Sequence, residues 1–185
     1  MTHLVFLLEE PSAAEMLEGL LPNILPEEVS FRLIPFEGKQ NLEGQLERRI
    51  KHYRVPGARF IVLRDQDNGD CQSIKRKLTD ICTKAGQASA LVRIACQELE
   101  CWYLADLAAV EKGLGLNGLA RRHQKKYKSP DSLGAPSRIL DTLTKGTYQK
   151  RAGSRAIGRY LDPSNTRSTS FKHLVAGIRR LAEAP

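Results

Sequence analysis

Phe60-Ile61-Val62-Leu63-Arg64-Asp65-Gln66-Asp67-Asn68-Gly69-Asp70 runs from an apolar segment straight into an acidic turn. Phe60 to Leu63, rich in β-branched and aromatic side chains, reads as a short buried strand. Asn68-Gly69 then signals a turn. Asp65 and Asp67 stand two residues apart where the strand gives way to the loop. Carboxylates at such a place are costly unless something neutralises them. A hard divalent cation such as Mg²⁺ or Ca²⁺ prefers carboxylate oxygens and would do so. The alternative is a solvated Asp-rich turn leading into a capped helix.

On the N-terminal side, His3 to Leu8 is an apolar run ending in Glu9-Glu10-Pro11-Ser12. It reads as a strand buried on both faces. Ser12 and Glu15 have capping-box spacing for a helix carrying Met16, Leu17, Leu20 and Leu21. Val29 to Phe36 is a second strand, and its internal Pro35 places it at the edge of a sheet or at a frayed end. Leu42, Leu46, Ile50 and Tyr53 give a helical stripe. Downstream, Cys71, Ile74, Leu78 and Ile81 mark a helix that ends at Ala85-Gly86. Ala90 to Cys96 is a fourth strand, and Glu98 to Glu111 a helix with Trp102 on its apolar face. This alternation predicts an α/β fold with a mainly parallel four-stranded sheet flanked by helices. Ligands of such sheets bind at the carboxyl ends of the strands.

From Lys112 onward the texture changes to loops, basic runs and short helices: Arg121–Lys128, a helix from Pro136, a basic stretch over 147–151, a helix over 156–161, and a last one from Ser168. The expected organisation is a core over 1–111 and a basic helical extension over 112–185 packed on it. Residues 1–111 hold 13 Lys/Arg against 17 Asp/Glu, a net −4, while residues 112–185 hold 16 against 4, a net +12. So segregated a charge points to a polyanionic partner, DNA or RNA, for the basic half. No apolar run approaches the roughly 18 residues that cross a bilayer, and the start of the chain lacks a basic segment ahead of its apolar stretch. The four cysteines lie singly, as reduced thiols do. These features predict a cytoplasmic protein of a bacterial or archaeal cell without membrane contact. Homo-oligomerisation is left open.

Acids follow three of the four strands: Glu9, then Asp65 with Asp67, then Glu98 and Glu100. In a parallel sheet these ends share one rim, where the carboxylates repel one another unless a cation sits among them. Glu98 and Glu100 diverge by about 200° on a helix, so one of the two is expected to face the rim, and Glu98 lies nearer the strand. The alternative for Glu100 and for Asp106 is a first-turn acid facing water or a structural arginine.

Leu7-Leu8-Glu9-Glu10-Pro11-Ser12 followed by Arg64-Asp65-Gln66-Asp67 resembles the Toprim domain of topoisomerases, primases and the overcoming-lysogenisation-defect nucleases. A Toprim-like family of unknown function, often encoded beside an AAA- or ABC-type ATPase in bacterial defence loci, is more similar still. The shared features are Glu9-Glu10-Pro11-Ser12, Phe36-Glu37-Gly38-Lys39, Asp65-x-Asp67, Glu98-Leu99-Glu100-x-Trp102 with Asp106, Arg155-Ala156-Ile157, Asp162-Pro163 and Arg167-Ser168-x-Ser170-Phe171. Where the wider Toprim pattern commonly has a glycine after the motif glutamate, this chain has Glu10, and Ala13 stands where a further acid is often found.

The resemblance implies that Glu9 acts as general base or metal ligand and that Asp65 and Asp67 bind Mg²⁺ (or Mn²⁺), with Glu98 an additional ligand. Lys39 is expected to meet a phosphate or the transition state, and Arg155, Arg159, Arg167 and Lys172 to grip nucleic-acid phosphates. His123 reads as a surface residue. There is no P-loop, no dinucleotide fingerprint and no nucleophilic Ser or Cys motif. The expected function is a Mg²⁺-dependent nucleic-acid phosphodiesterase, an endonuclease-type effector of anti-phage defence acting with a partner ATPase. The alternative is a non-catalytic nucleic-acid-binding or regulatory subunit of an ATPase complex.

Overall fold

In the computed structural model, which describes residues 2–184, four parallel strands form one sheet. Met1, where the reading of the N-terminus begins, and Pro185 lie outside the described residues. The strands are β1 (His3–Leu8), β2 (Ser30–Pro35), β3 (Ala58–Asp65) and β4 (Leu91–Ala95), in the order β2-β1-β3-β4. Pairing is in register along β1: Leu4 faces Phe31 on one side and Arg59 on the other. The strand with the internal proline is at an edge, where a missing N–H costs least.

Strand side chains alternate between two apolar layers. Val5, Leu7, Phe60, Val62, Val92 and Ile94 pack with Leu42, Leu46 and Ile50 of α2 (Lys39–His52) and with Leu78 and Cys82 of α3 (Cys71–Lys84). Leu4, Phe6, Leu8, Ile61, Leu63 and Leu91 face a larger layer. That layer holds α1 (Pro11–Leu20), α4 (Glu100–Ala105), α5 (Leu107–Leu114), α7 (Pro136–Leu143), α8 (Lys150–Gly158) and α9 (Thr169–Glu183). Trp102 is buried in it, tilted against Phe171, with its indole N–H donating to Ser170 Oγ at 2.8 Å. The short α6 (Leu119–His123) completes the set.

Four local expectations are corrected. The N-cap of α1 is Glu10 rather than Ser12, whose hydroxyl donates to Glu10 Oε1 at 2.6 Å. Glu15 accordingly does not close a capping box and turns to Arg151 and Arg155 of α8. The helix expected over 98–111 is broken at Asp106, because its buried carboxylate caps a new helix: Oδ1 accepts from Ala109 N at 3.1 Å and Oδ2 from Asp162 N at 2.9 Å. The helix expected over 156–161 begins instead at Lys150 and ends at Gly158. It forms there because Gly158 and Gly19 let α8 lie directly on α1; a methyl at Gly158 would overlap the Met16 carbonyl. That close crossing carries Lys150 to the end of β1.

Candidate functional site

The carboxyl ends of β1 and β3 are locked together by their backbones. Glu9 N donates to Leu63 O at 3.0 Å, and Glu9 Oε2 accepts from Asp65 N at 2.9 Å. The loop after β3 is in turn tied to the loop after β4. Gln66 N donates to Ala95 O, Asp67 N donates to Gln97 O at 2.8 Å, and Gln97 N donates to Gln66 Oε1. Asp67 and Gln97 both adopt left-handed backbone, with φ of 52° and 60°. Aspartate tolerates that region better than most residues, glutamine less well, and such strain persists where the surroundings over-determine it.

These contacts place Glu9 and Asp65 side by side and hold Asp67 at the same rim. Two further acids join them. Glu10 follows Glu9 at the start of α1, and Glu100 opens α4, buried to 1% exposure. Burial pushes the Asp65 carboxyl well above the usual carboxylate range, and the charges of Glu10, Glu100 and Glu9 push it the same way. Burial likewise raises Glu9, with Asp67 and Glu10 adding to it; the Asp65 N–H bond and Arg64 oppose the rise. Burial raises Glu100 too, against the pull of Lys150 and of the Tyr148 hydroxyl, which donates to Oε1 at 2.9 Å. The other oxygen of Glu100, Oε2, is buried without a hydrogen-bond partner.

Two lysines face this acidic cluster. Lys39, at the first turn of α2, holds Asp67 Oδ2 at 3.0 Å. Lys150, at the first turn of α8, holds Glu10 Oε2 at 2.8 Å. Burial works against the Lys150 charge, yet Glu10, Glu100 and Asp65 together hold its ammonium above the ordinary lysine value. Behind the rim, buried Arg64 pairs with Glu43 and lies 3.9 Å from Glu9 Oε2 through Nε. Lys77 also binds Glu43, at 2.6 Å.

Other expected residues are placed elsewhere. Glu98 does not join Asp65; its Oε2 accepts from Ser137 N at 2.9 Å and so anchors the start of α7. Glu100 is the acid of that pair that meets the cluster. The reason lies in Gln97, whose left-handed turn aims Glu98 away before α4 begins. Arg155 donates to Glu15 Oε2 at 2.5 Å, and Glu15 is held below the usual carboxylate range by that bond first and by Arg151 second. Arg159 is exposed and lines a cleft of about 640 Å³ with Glu18 and Arg155. Arg167 donates to the Ala105 carbonyl, and Lys172 is exposed on α9. The four cations expected to grip phosphates are therefore spread over α8, the loop before α9 and α9 itself. Lys150 and Glu10 are the rim residues that sequence reasoning passed over. Lys150 carried the one available signal, its place in the basic stretch 147–151.

Residues 8–179 match the model of a domain of unknown function, DUF4276. The chain belongs to the DUF4276 family. No curated protein matches it. Among solved structures, this DUF4276 chain is similar to the C-terminal region of the Burkholderia pseudomallei OLD protein. Identity is 12%, the TM-score is 0.55, and the match covers 97% of this chain and 98% of the other. The fold is Toprim-like, as the sequence resemblance implies. Among the described residues, no helix is long and apolar enough to cross a membrane.

Whether the DUF4276 rim suits a divalent cation can be judged from its donors. Among the described residues, no three His, Cys, Asp or Glu side chains stand close enough to form a ready-made metal site. Asp67 is drawn toward Lys39, and Glu9 toward the Asp65 N–H. The donor chemistry nevertheless fits. The side chains are carboxylates, burial and then their mutual repulsion raise Asp65 and Glu9, and Glu100 keeps a buried oxygen without a hydrogen-bond partner.

Proposed function

We propose that this DUF4276 protein is a Mg²⁺- or Mn²⁺-dependent nucleic-acid phosphodiesterase of the endonuclease type. The observation that carries the reading is the convergence of Glu9, Glu10, Asp65 and Glu100 at the carboxyl edge of a parallel sheet, with Asp65 forced far above its ordinary pKa by burial and by its neighbours. Acids gathered at the carboxyl edge of a parallel sheet, one of them with a buried oxygen that has no hydrogen-bond partner, offer the carboxylate oxygens that a hard divalent cation takes. The resemblance to overcoming-lysogenisation-defect nucleases and the fold match to an OLD protein support the same reading.

Glu9, Asp65 and Asp67 would hold the cation, with Glu100 beside them. A bound Mg²⁺ would supply a lowered pKa for water and charge neutralisation at a phosphodiester. The chain's own residues do the rest. Glu9, its carboxyl raised by burial, is suited to accept a proton at the oxygen not engaged by the Asp65 N–H. Lys39 and Lys150 flank the cluster from α2 and α8 and offer positive charge to the phosphate oxygens of a bound strand. By resemblance, the protein would be a cytoplasmic anti-phage effector controlled by a partner AAA- or ABC-type ATPase.

The test is cleavage of plasmid DNA and of tRNA with Mg²⁺ or Mn²⁺, comparing the wild type with Asp65→Ala/Asp67→Ala. Activity lost in the double variant is the expected result. Equal activity in both removes the catalytic assignment. Silence with either metal, with and without the co-purified ATPase, favours a non-catalytic binding subunit.

A further inference from the structure

The strongest basic run of the chain, Arg121 to Lys128, takes no part in the rim, and it borders a groove of its own. Lys126 and Tyr127 line one wall of this groove and α7 the other, through Arg138, Ile139, Thr142 and Leu143. The volume is about 360 Å³, toward the low end of the roughly 300–1,000 Å³ typical of small-ligand sites. Its interior is apolar, made by Ile139, Leu143 and the largely buried Tyr127. Its edge is cationic: Lys126 and Arg138 are exposed there, with His123 half-buried beside them. Between Leu119 and Leu143 the chain has six Lys/Arg against two Asp/Glu.

An apolar slot with a positive edge is the complement of a nucleotide, which joins a flat apolar base to an anionic phosphate. Proteins that hold single strands combine these two features. A paired base is stacked and sealed on both faces, so only an unpaired one enters such a slot.

The groove is also mechanically joined to the rim. Glu98 Oε2 accepts from Ser137 N at the start of α7, and the next residue, Arg138, lines the groove. An eight-residue helix is about 12 Å long, so the groove opens within one helix length of the loop that carries Glu98 and Glu100. Glu98 thereby positions α7 against the rim.

We propose that the groove between α6 and α7 is a base-binding subsite that holds one unpaired nucleotide of a single-stranded nucleic acid, its phosphates gripped by Lys126 and Arg138. The proposal rests on the nuclease reading for its place beside the rim, and it assigns single-stranded segments as the substrate class. Thr142 is exposed on the groove wall, so a large side chain there fills the slot without entering the core.

Binding is measured without divalent cation, by fluorescence anisotropy, on labelled dT12, rU12, a duplex of the same length and a 12-unit deoxyribose-phosphate chain lacking bases. Wild type is expected to bind dT12 or rU12 about tenfold or more tightly than the baseless chain, the order of one stacked base. Thr142→Trp is expected to abolish that preference while leaving the weak baseless binding intact. Lys126→Ala/Arg138→Ala is expected to weaken both probes, whereas Arg179→Ala/Arg180→Ala, an equal charge loss on α9, leaves the preference for bases unchanged. Circular dichroism and melting confirm that each variant folds. Equal affinity for dT12 and the baseless chain, tighter binding of duplex than of either single strand, or a Thr142→Trp protein that keeps the preference overturns the proposal. DNA and RNA arms tell which strand is preferred. Cleavage is scored separately with Mg²⁺, so binding without cleavage removes the nuclease reading and leaves the subsite standing.

Discussion

Asp65→Asn is expected to make the protein more stable. Asp65 is pushed well above its ordinary pKa by burial first and by Glu10, Glu100 and Glu9 after it. A carboxyl whose folded pKa is raised binds protons more tightly folded than unfolded. Its contribution to stability is therefore complete below its unfolded value and is lost as pH rises through the folded one. At pH 8, far above the unfolded value, wild type folds either by taking up a proton or by burying a charge, and both lower its stability. Asparagine keeps the size, drops the charge and turns an N–H donor toward carboxylates that now only repel. Replacing a strained functional residue in this way stabilises by about 0.5–2 kcal/mol. For a chain of this length roughly 2–4 °C of Tm accompanies each kcal/mol, so a rise of about 1–8 °C is expected at pH 8 in EDTA. The advantage should shrink as pH is lowered and vanish below pH 4, where Asp65 is protonated in both states. Adding Mg²⁺ reverses the ranking: at about 100 times its Kd a ligand of the folded state adds ~2.7 kcal/mol, and only wild type retains the site. Thermal melts of both proteins at pH 4, 6 and 8, each with EDTA and with Mg²⁺, make the test. An Asp65→Asn protein less stable than wild type at pH 8 in EDTA refutes the electrostatic reasoning. A wild type whose Tm ignores Mg²⁺ and Mn²⁺ refutes the cation site.

Asp106→Ala removes the acceptor of both Ala109 N and Asp162 N from a buried position; a loss of about 2–3 kcal/mol is expected in urea titration. Gly158→Ala sets a methyl against the Met16 carbonyl, and overpacking of this kind costs roughly 1–3 kcal/mol. Because α8 also delivers Lys150, the same variant should lower cleavage even at temperatures where it stays folded. The Glu15–Arg155 pair should show a small favourable coupling in a double-mutant cycle at pH 7. Since the folded pKa of Glu15 is depressed, that coupling is present above its unfolded value and disappears as pH falls through the folded one, so cycles repeated at successively lower pH should lose it.

The sheet was legible because strand and helix periodicities are local. His3 to Leu8 ends where its acids begin, and Pro35 marks an edge strand from its own missing N–H. What the sequence hid was long-range. Residues 147–151 show only a basic stretch in the sequence, and the helix signal begins at Ala156. Packing on α1 extends that helix back to Lys150, since Gly19 and Gly158 are what allow the close approach. Glu98 lies nearer the strand in sequence, yet Glu100 is the acid that bears on Asp65, for a backbone reason: the left-handed Gln97 delays α4 until Glu100, and Glu98 accepts from Ser137 N. Asp106 looked like one more surface acid in a long helix; nothing local reveals that a backbone N–H of residue 162 needs its oxygen.

The charge segregation of the chain takes on a different meaning once α8 is in place. A net −4 over residues 1–111 and +12 over 112–185 first reads as an acidic half and a polyanion-binding half. Part of that excess is spent inside the molecule. Lys150 neutralises Glu10 and bears on Asp65 and Glu100, while Arg151 and Arg155 close on Glu15. The basic half thus supplies counter-charge to the acids of the other half, and the apolar layer of Leu4 and Phe6 continues without break into Ile157, Leu174 and Ile178. What remains for an external polyanion is the set with no carboxylate partner at the rim or on α1, chiefly Arg121 to Lys128 with Arg138 around the groove. A strand lying along this set reaches the rim by way of α7, whose anchor is Glu98. On the single-strand reading proposed above, Glu98 sets where the strand lies by holding the start of α7 through Ser137 N.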